Sequence, residues 1–305
     1  MGEKRSRRAI KHPDVQEFGG PWSLPKLDIV EKYFHFFNTA LKRKPFKRMY
    51  IDAFAGSGAF RYIVNAPRNT LFGPRDDSKD IHAGSASRAL TASPPFDRII
   101  LIEQKRSLVK TLEALIRKSG HRDAHVEWGD ANEVLRKLCR PRDWLSSRGI
   151  IFLDPFGMNV EWSTLRLIAG TKALDVWFLF SIAGLVRNLP RSAARLDAGK
   201  RAAVTRVLGT DEWFEEFYKV PATPKLTLYG TTAPPVPARR TATLNQIEAY
   251  VLKRLRTIFP HVEPPKRLTT RRNRSLFSLF FAVSNPSPIA IKLAQKGAAH
   301  ILKRT

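Results

Sequence analysis

Two phrases hold the residue types that a binding or reacting site needs. The first, Asp52-Ala53-Phe54-Ala55-Gly56-Ser57-Gly58, follows the apolar run Met49-Tyr50-Ile51. Glycines directly after a buried strand allow a tight turn and let a ligand approach the backbone closely. No Gly-Lys-Ser or Gly-Lys-Thr is present, which excludes a Walker loop. Arg61 stands where the dinucleotide fingerprint has its third glycine, which argues against NAD. The second phrase, Asp154-Pro155-Phe156-Gly157, ends the run Gly149 to Leu153. An aspartate there can accept a hydrogen bond from an exocyclic amine, and a phenylalanine ring can stack on a planar base. Pro155 restricts the conformation of the residue before it. A purely structural Asp-Pro turn is the alternative.

Two further carboxylates keep company with these phrases. Glu103 ends the run Arg98 to Glu103, where it can accept hydrogen bonds from both hydroxyls of a ribose. Asp130, in Gly129-Asp130-Ala131, ends a third run, where it can accept from an adenine amino group. Each alone reads as a helix cap or a solvated charge. Together, at successive carboxyl ends of a parallel sheet, Glu103 with Asp130 and Ala131 suggest an adenosine site.

The elements that must position them alternate. A helix from Leu24 carries Leu27, Val30, Phe34 and Phe37 at helical spacing. Strands are expected at 49–54, 98–103, 125–130, 149–154 and 175–180, with helices between them. Such near-continuous apolar strands call for a mostly parallel, Rossmann-like α/β sheet with helices on both faces. Residues 1–21 read as a basic flexible arm, and 22–305 as one domain with a helical insertion at about 187–240. Thr243-Leu244-Asn245-Gln246 opens a helix as a capping box. His261–Leu268 and Ser275–Ser284 are expected to form a closing β-hairpin.

In order, these phrases resemble class I S-adenosylmethionine-dependent methyltransferases, and more specifically the three-Cys-motif partner (TcmP) family. Further matching phrases are Trp22-Ser23-Leu24-Pro25-Lys26-Leu27, Gly84-Ser85-Ala86, Gly129-Asp130-Ala131-Asn132, Asp175-Val176-Trp177 and Leu279-Phe280-Phe281-Ala282. The resemblance implies a methyltransferase-like fold and S-adenosylmethionine bound along Asp52 to Gly58. It also implies a partner protein with a three-cysteine, radical-enzyme-like motif. Asp154, Pro155 and Phe156 match the catalytic loop of amino-methylating enzymes. The loop has one proline rather than two, and Gly157 replaces the usual aromatic residue.

Composition narrows the acceptor. The chain of 305 residues has 53 Lys and Arg against 27 Asp and Glu, a net charge of +26. A field of that sign favours polyanions, nucleic acid first. Lys266, Arg267, Arg271, Arg272 and Arg274 fall at the expected hairpin turn, suited to phosphates of DNA or RNA. The single cysteine, Cys139, excludes an intramolecular disulfide and a thiolate metal cluster. His121 and His125 lack the central glutamate of a zinc helix, so no metal site is expected. No run is long and apolar enough for a membrane span, and a cytoplasmic protein is expected. The expectation is therefore a methyltransferase acting on an amine of a nucleic-acid base. The alternative is a non-catalytic, nucleic-acid-binding subunit of a three-Cys-motif protein.

Overall fold

Successive side chains along each central strand go to opposite faces, and both faces are apolar. In β1 (Lys47–Asp52), Met49 and Ile51 join one core cluster while Tyr50 joins the other. β2 (Arg98–Glu103) divides Ile100 and Ile102 from Ile99 and Leu101 in the same way. β3 (Ala124–Trp128) is the edge strand beside it. β4 (Ser147–Leu153) sends Ile151 and Leu153 one way and Ile150 and Phe152 the other. β5 (Leu174–Phe180) separates Val176 and Phe178 from Trp177 and Leu179. Strands buried on both faces need helices on both faces.

The computed structural model describes residues 16–17, 23–61, 82–140, 144–220, 237–269 and 275–304. β6 (His261–Val262), β7 (Lys266–Thr269) and β8 (Ser275–Val283) complete an eight-stranded sheet. Its order is β6-β8-β5-β4-β1-β2-β3, with β7 also paired to β8. β3, β2, β1, β4 and β5 run parallel, and β8 returns antiparallel to β5. This is the mostly parallel, Rossmann-like α/β sheet that the residue pattern predicts, with the antiparallel pair β7–β8 at its edge. The chain reverses direction across the sheet between β1 and β4, which opens a crevice at their carboxyl ends.

One face takes α1 (Ser23–Leu41), α2 (Ser85–Leu90), α3 (Arg106–Ser119) and, at the end of the chain, α10 (Pro288–Arg304). The other takes α4 (Ala131–Leu138), α5 (Trp162–Gly170) and α9 (Leu244–Leu255), the last opened by the Thr243/Gln246 capping box. α1 is fixed by aromatic packing: the Tyr33 ring lies 5.0 Å from Phe281 and 5.5 Å from Trp177. Its hydroxyl donates to Asp175 Oδ2 at 2.7 Å.

Between β5 and α9 the chain forms α6 (Ile182–Arg187), α7 (Ala198–Leu208) and α8 (Trp213–Phe217). The insertion expected to be helical also holds strands, since 218–219 pairs with 239–240. Its aromatic residues Trp213, Phe217 and Tyr218 are buried in the main core. Of the expected N-terminal arm, only Gln16–Glu17 is described, paired with Phe60–Arg61. Among the described residues no helix is long and apolar enough to cross a membrane.

Candidate active site

The glycine turn grows out of the sheet without a break. Ala53 N donates to Phe152 O at 3.1 Å, and Ala55 N donates to Ile102 O at 3.0 Å, so the chain after β1 stays between its two neighbours. It then turns through Gly56 at φ 62° and Gly58 at φ 74°, the left-handed region that favours glycine. A Cβ on Gly58 would lie 2.5 Å from Leu115 Cδ2 of α3, so the turn is also pressed against that helix.

Glu103 holds this turn. Its Oε2 accepts from Gly56 N at 3.0 Å and its Oε1 from Lys105 N at 2.7 Å. Each carboxylate oxygen retains a second lone pair for a ligand. Asp52 lies fully buried beneath the turn. Its carboxylate accepts from Phe54 N at 3.3 Å and Tyr50 Oη at 3.2 Å, and from the Ser85 hydroxyl. Desolvation pushes its pKa up to about 6, with the nearby Asp154 adding in the same direction. Asp52 thus positions the loop from below and does not line the cavity above it.

That cavity, about 420 Å³, lies at the carboxyl ends of β1 and β4. Phe54, Ala55, Gly56, Ser57 and Gly58 form one wall, and Asp154, Pro155, Phe156 and Gly157 another. Two phrases a hundred residues apart in sequence therefore face each other. Phe156 is 55% exposed, with its ring at the rim. Glu103, Asp130 and Ala131 do not line the cavity; Glu103 meets it only through the Gly56 backbone that it holds. Asp130 Oδ1 accepts from Asn132 N at 2.9 Å and Glu133 N at 3.3 Å, capping α4 beyond Glu103. Gly129 N donates to Glu103 O at 3.2 Å, which holds the turn between β3 and the Asp130 cap beside the end of β2. The buried Asn132 ties α4 to the segment after the Asp154-Pro155-Phe156-Gly157 phrase: it donates to Asn159 O at 2.9 Å and accepts from Thr164 Oγ1 at 2.8 Å.

The cavity also contains residues given no role from sequence. Lys26 of α1 forms an ion pair with Asp154 Oδ2, and both side chains are largely shielded from solvent. Arg187, at the end of α6, and Phe277, on β8, line the same space. Lys26 had a legible signal. It falls on the helix stripe that buries Leu27, Val30, Tyr33 and Phe34, where a solvated lysine does not belong.

The basic hairpin divides differently. Arg267 Nε donates to Glu248 Oε2 at 2.7 Å, its Nη2 bonds the same oxygen, and Ser278 Oγ donates to Glu248 Oε1 at 2.5 Å. Arg267 therefore clamps β7 to α9 through a buried glutamate. Lys266 lies beside it on β7, and Arg271, Arg272 and Arg274 lie outside the described residues. Cys139 is buried, and desolvation pushes its thiol up to about 12, which suits an inert core residue. Among the described residues no cluster of His, Cys, Asp and Glu could hold a metal ion.

No family model matches this chain, and no curated protein does. Among solved structures, the chain is similar to protein LPL1258 of Legionella pneumophila, at 14% identity over 93% of each chain, with a TM-score of 0.46. It is similar to the N-terminal domain of EvdMO1 with SAH bound, at 12% identity over 83% of this chain and 79% of that one, TM-score 0.39. It is similar to TYW2 of M. jannaschii in complex with AdoMet, at 9% identity over 88% and 77%, TM-score 0.36. The Rossmann-like α/β architecture rests on the strand order itself.

Proposed function

We propose that the protein is an S-adenosylmethionine-dependent methyltransferase whose acceptor is an amine on a nucleic-acid base. The observation that carries this reading is the single cavity in which the glycine turn and the Asp154-Pro155-Phe156-Gly157 loop face each other. Its volume is within the range of small-molecule sites. The site residues fit such a cofactor: the left-handed glycines bring the backbone close, and Glu103 offers carboxylate lone pairs beside Gly56. Asp130 and Ala131 would lie further along, at the adenine end. When bound, the cofactor supplies an electrophilic methyl group.

The chain's own residues then position the acceptor. Asp154 accepts a hydrogen bond from the acceptor N–H and so aims the nitrogen lone pair. Lys26 restrains that carboxylate from the α1 side. Phe156 stacks on the base at the rim, where its exposed face suits a planar ring. Phe277 and Leu179 form apolar wall that excludes water. No covalent intermediate is required, and proximity supplies most of the rate.

The test is labelled-methyl transfer to RNA and DNA with wild-type protein and Asp154→Ala. The variant should lose transfer by about 100-fold or more while cofactor affinity stays nearly unchanged. Equal loss of both would move Asp154 into the cofactor site. A non-catalytic nucleic-acid-binding subunit of a three-Cys-motif protein is the second reading, favoured by the ion pair that engages Asp154 and by the net charge of +26. It requires salt-sensitive nucleic-acid binding with no methyl transfer in any substrate screen.

A further inference from the structure

The basic charge closest to the cavity lies on the insertion. Arg187 lines the cavity and is exposed. Four residues later Arg191, also exposed, enters a small antiparallel patch: Arg240 N donates to Arg191 O at 2.9 Å, and Ser192 bridges Arg239. Arg239 in turn pairs in register with Lys219. Residues directly opposite on antiparallel strands share a face, so Arg239 and Lys219 project side by side, and both are exposed. The other face of the patch is turned inward, since Tyr218, the partner of Arg240, is buried and donates to Pro190 O at 2.7 Å.

Like charges directly opposite each other destabilise a strand pair unless something neutralises them. Among the described residues no Asp or Glu does so here. Three of the insertion's five acidic side chains are engaged elsewhere: Asp197 with Lys200, Asp211 with the Thr205 hydroxyl at 2.5 Å, and Glu216 at 3.8 Å from Lys253. Glu212 and Glu215 form no ion pair with the platform, and Lys219 Nζ donates to the Glu215 backbone oxygen at 2.8 Å. Residues 221–236, which join the two strands, contain no Asp or Glu at all. Four residues of chain span at most roughly 14 Å, so Arg191 stands close to the cavity rim marked by Arg187.

We propose that Arg191, Lys219 and Arg239 form a phosphate-docking platform on the insertion, holding a polynucleotide strand beside the cavity while Arg187 meets the phosphate nearest the entering base. This deepens, and rests on, the reading of the acceptor as nucleic acid. The chemistry is suited to backbone rather than sequence: guanidinium forks take phosphate oxygens in pairs, and the contacts carry no base information. A base must leave its stack to enter a cavity of this kind, so a single-stranded or locally opened strand is the form that fits.

The test uses fluorescence anisotropy with labelled single-stranded 20-nucleotide RNA and DNA over a salt series. Two charge-matched triple variants of the full chain are compared. Arg191→Gln/Lys219→Gln/Arg239→Gln removes the platform. Lys292→Gln/Lys296→Gln/Lys303→Gln removes three exposed lysines from α10, which covers the opposite face of the sheet. The platform variant should bind about tenfold or more weakly, and its slope of log affinity against log salt should fall by about 2, from roughly 0.7 per phosphate contact. The α10 variant should change neither. Equal weakening in both variants would overturn the proposal in favour of diffuse charge, as would wild-type protein that binds neither oligonucleotide at low salt. The same preparations are titrated with S-adenosylhomocysteine. Cofactor binding without oligonucleotide binding overturns the platform alone. Oligonucleotide binding lost only in the platform variant, without cofactor binding, supports the platform and overturns methyl transfer.

Discussion

Asp175 offers a quantitative test of how α1 is held against the sheet. It is partly buried on β5, accepts the Tyr33 hydroxyl at 2.7 Å and has the Arg148 guanidinium as its nearby cation. Desolvation outweighs both and pushes its pKa from the ordinary 3.8 up to about 7. The folded state therefore keeps a proton that the unfolded chain has already lost. Stability is greatest below about pH 4, falls as pH rises toward 7, and is level above that. At about 1.4 kcal/mol per pH unit, the whole decline is about 4 kcal/mol, of which roughly 3 kcal/mol falls between pH 5 and pH 8. Asp175→Asn keeps the acceptor for Tyr33 and removes the titration. Its new amide N–H₂, if unpaired, costs about 1–3 kcal/mol at every pH. The difference in stability, variant minus wild type, should thus rise by about 3 kcal/mol from pH 5 to pH 8. Urea unfolding followed by tryptophan fluorescence at several pH values measures it. Parallel curves for the two proteins would show that Asp175 does not carry the linkage.

Two other substitutions probe the site's frame. Gly58→Ala meets both a left-handed backbone and the Leu115 side chain, and should destabilise the fold by about 2–4 kcal/mol in the same unfolding assay; a change under about 0.5 kcal/mol would show that the turn relaxes freely. Lys26→Met removes the partner of Asp154 and should lower methyl transfer by about tenfold or more with cofactor affinity unchanged, while Lys26→Arg restores part of the rate. Full activity in Lys26→Met would reduce the ion pair to a structural contact.

The strands and the two loop phrases were readable in the residues because both depend on local pattern. Near-continuous apolar runs cannot be solvated, and Gly-Ser-Gly after such a run has few conformations to adopt. Glu103 was readable for the same reason, as a charge ending a buried run. The site's second layer was not. Lys26 and Asp154 are 128 positions apart, and nothing local pairs a helix lysine with a loop aspartate. Arg267 reads as one of a row of phosphate contacts until Glu248, 19 positions away on α9, is seen to hold it. Both cases share a signal: a charged residue on the apolar stripe of an amphipathic helix, Lys26 among Leu27 and Val30, Glu248 between Ile247 and Val251. Such a charge needs a buried partner, although the helix alone cannot say which. The strand pair within the insertion was hidden for another reason, since two-residue strands have no periodicity to read.

In the proposed function the glycine turn and Glu103 form the cofactor half of a methyl-transfer site. Calorimetric titration of the purified protein with S-adenosylhomocysteine, beside a Glu103→Ala variant, tests it most directly. Binding in the micromolar range is expected, weakened about tenfold or more in the variant as the carboxylate lone pairs and the Gly56 anchor are lost. A folded wild-type protein that gives no heat, or a variant that binds as tightly as wild type, would contradict it.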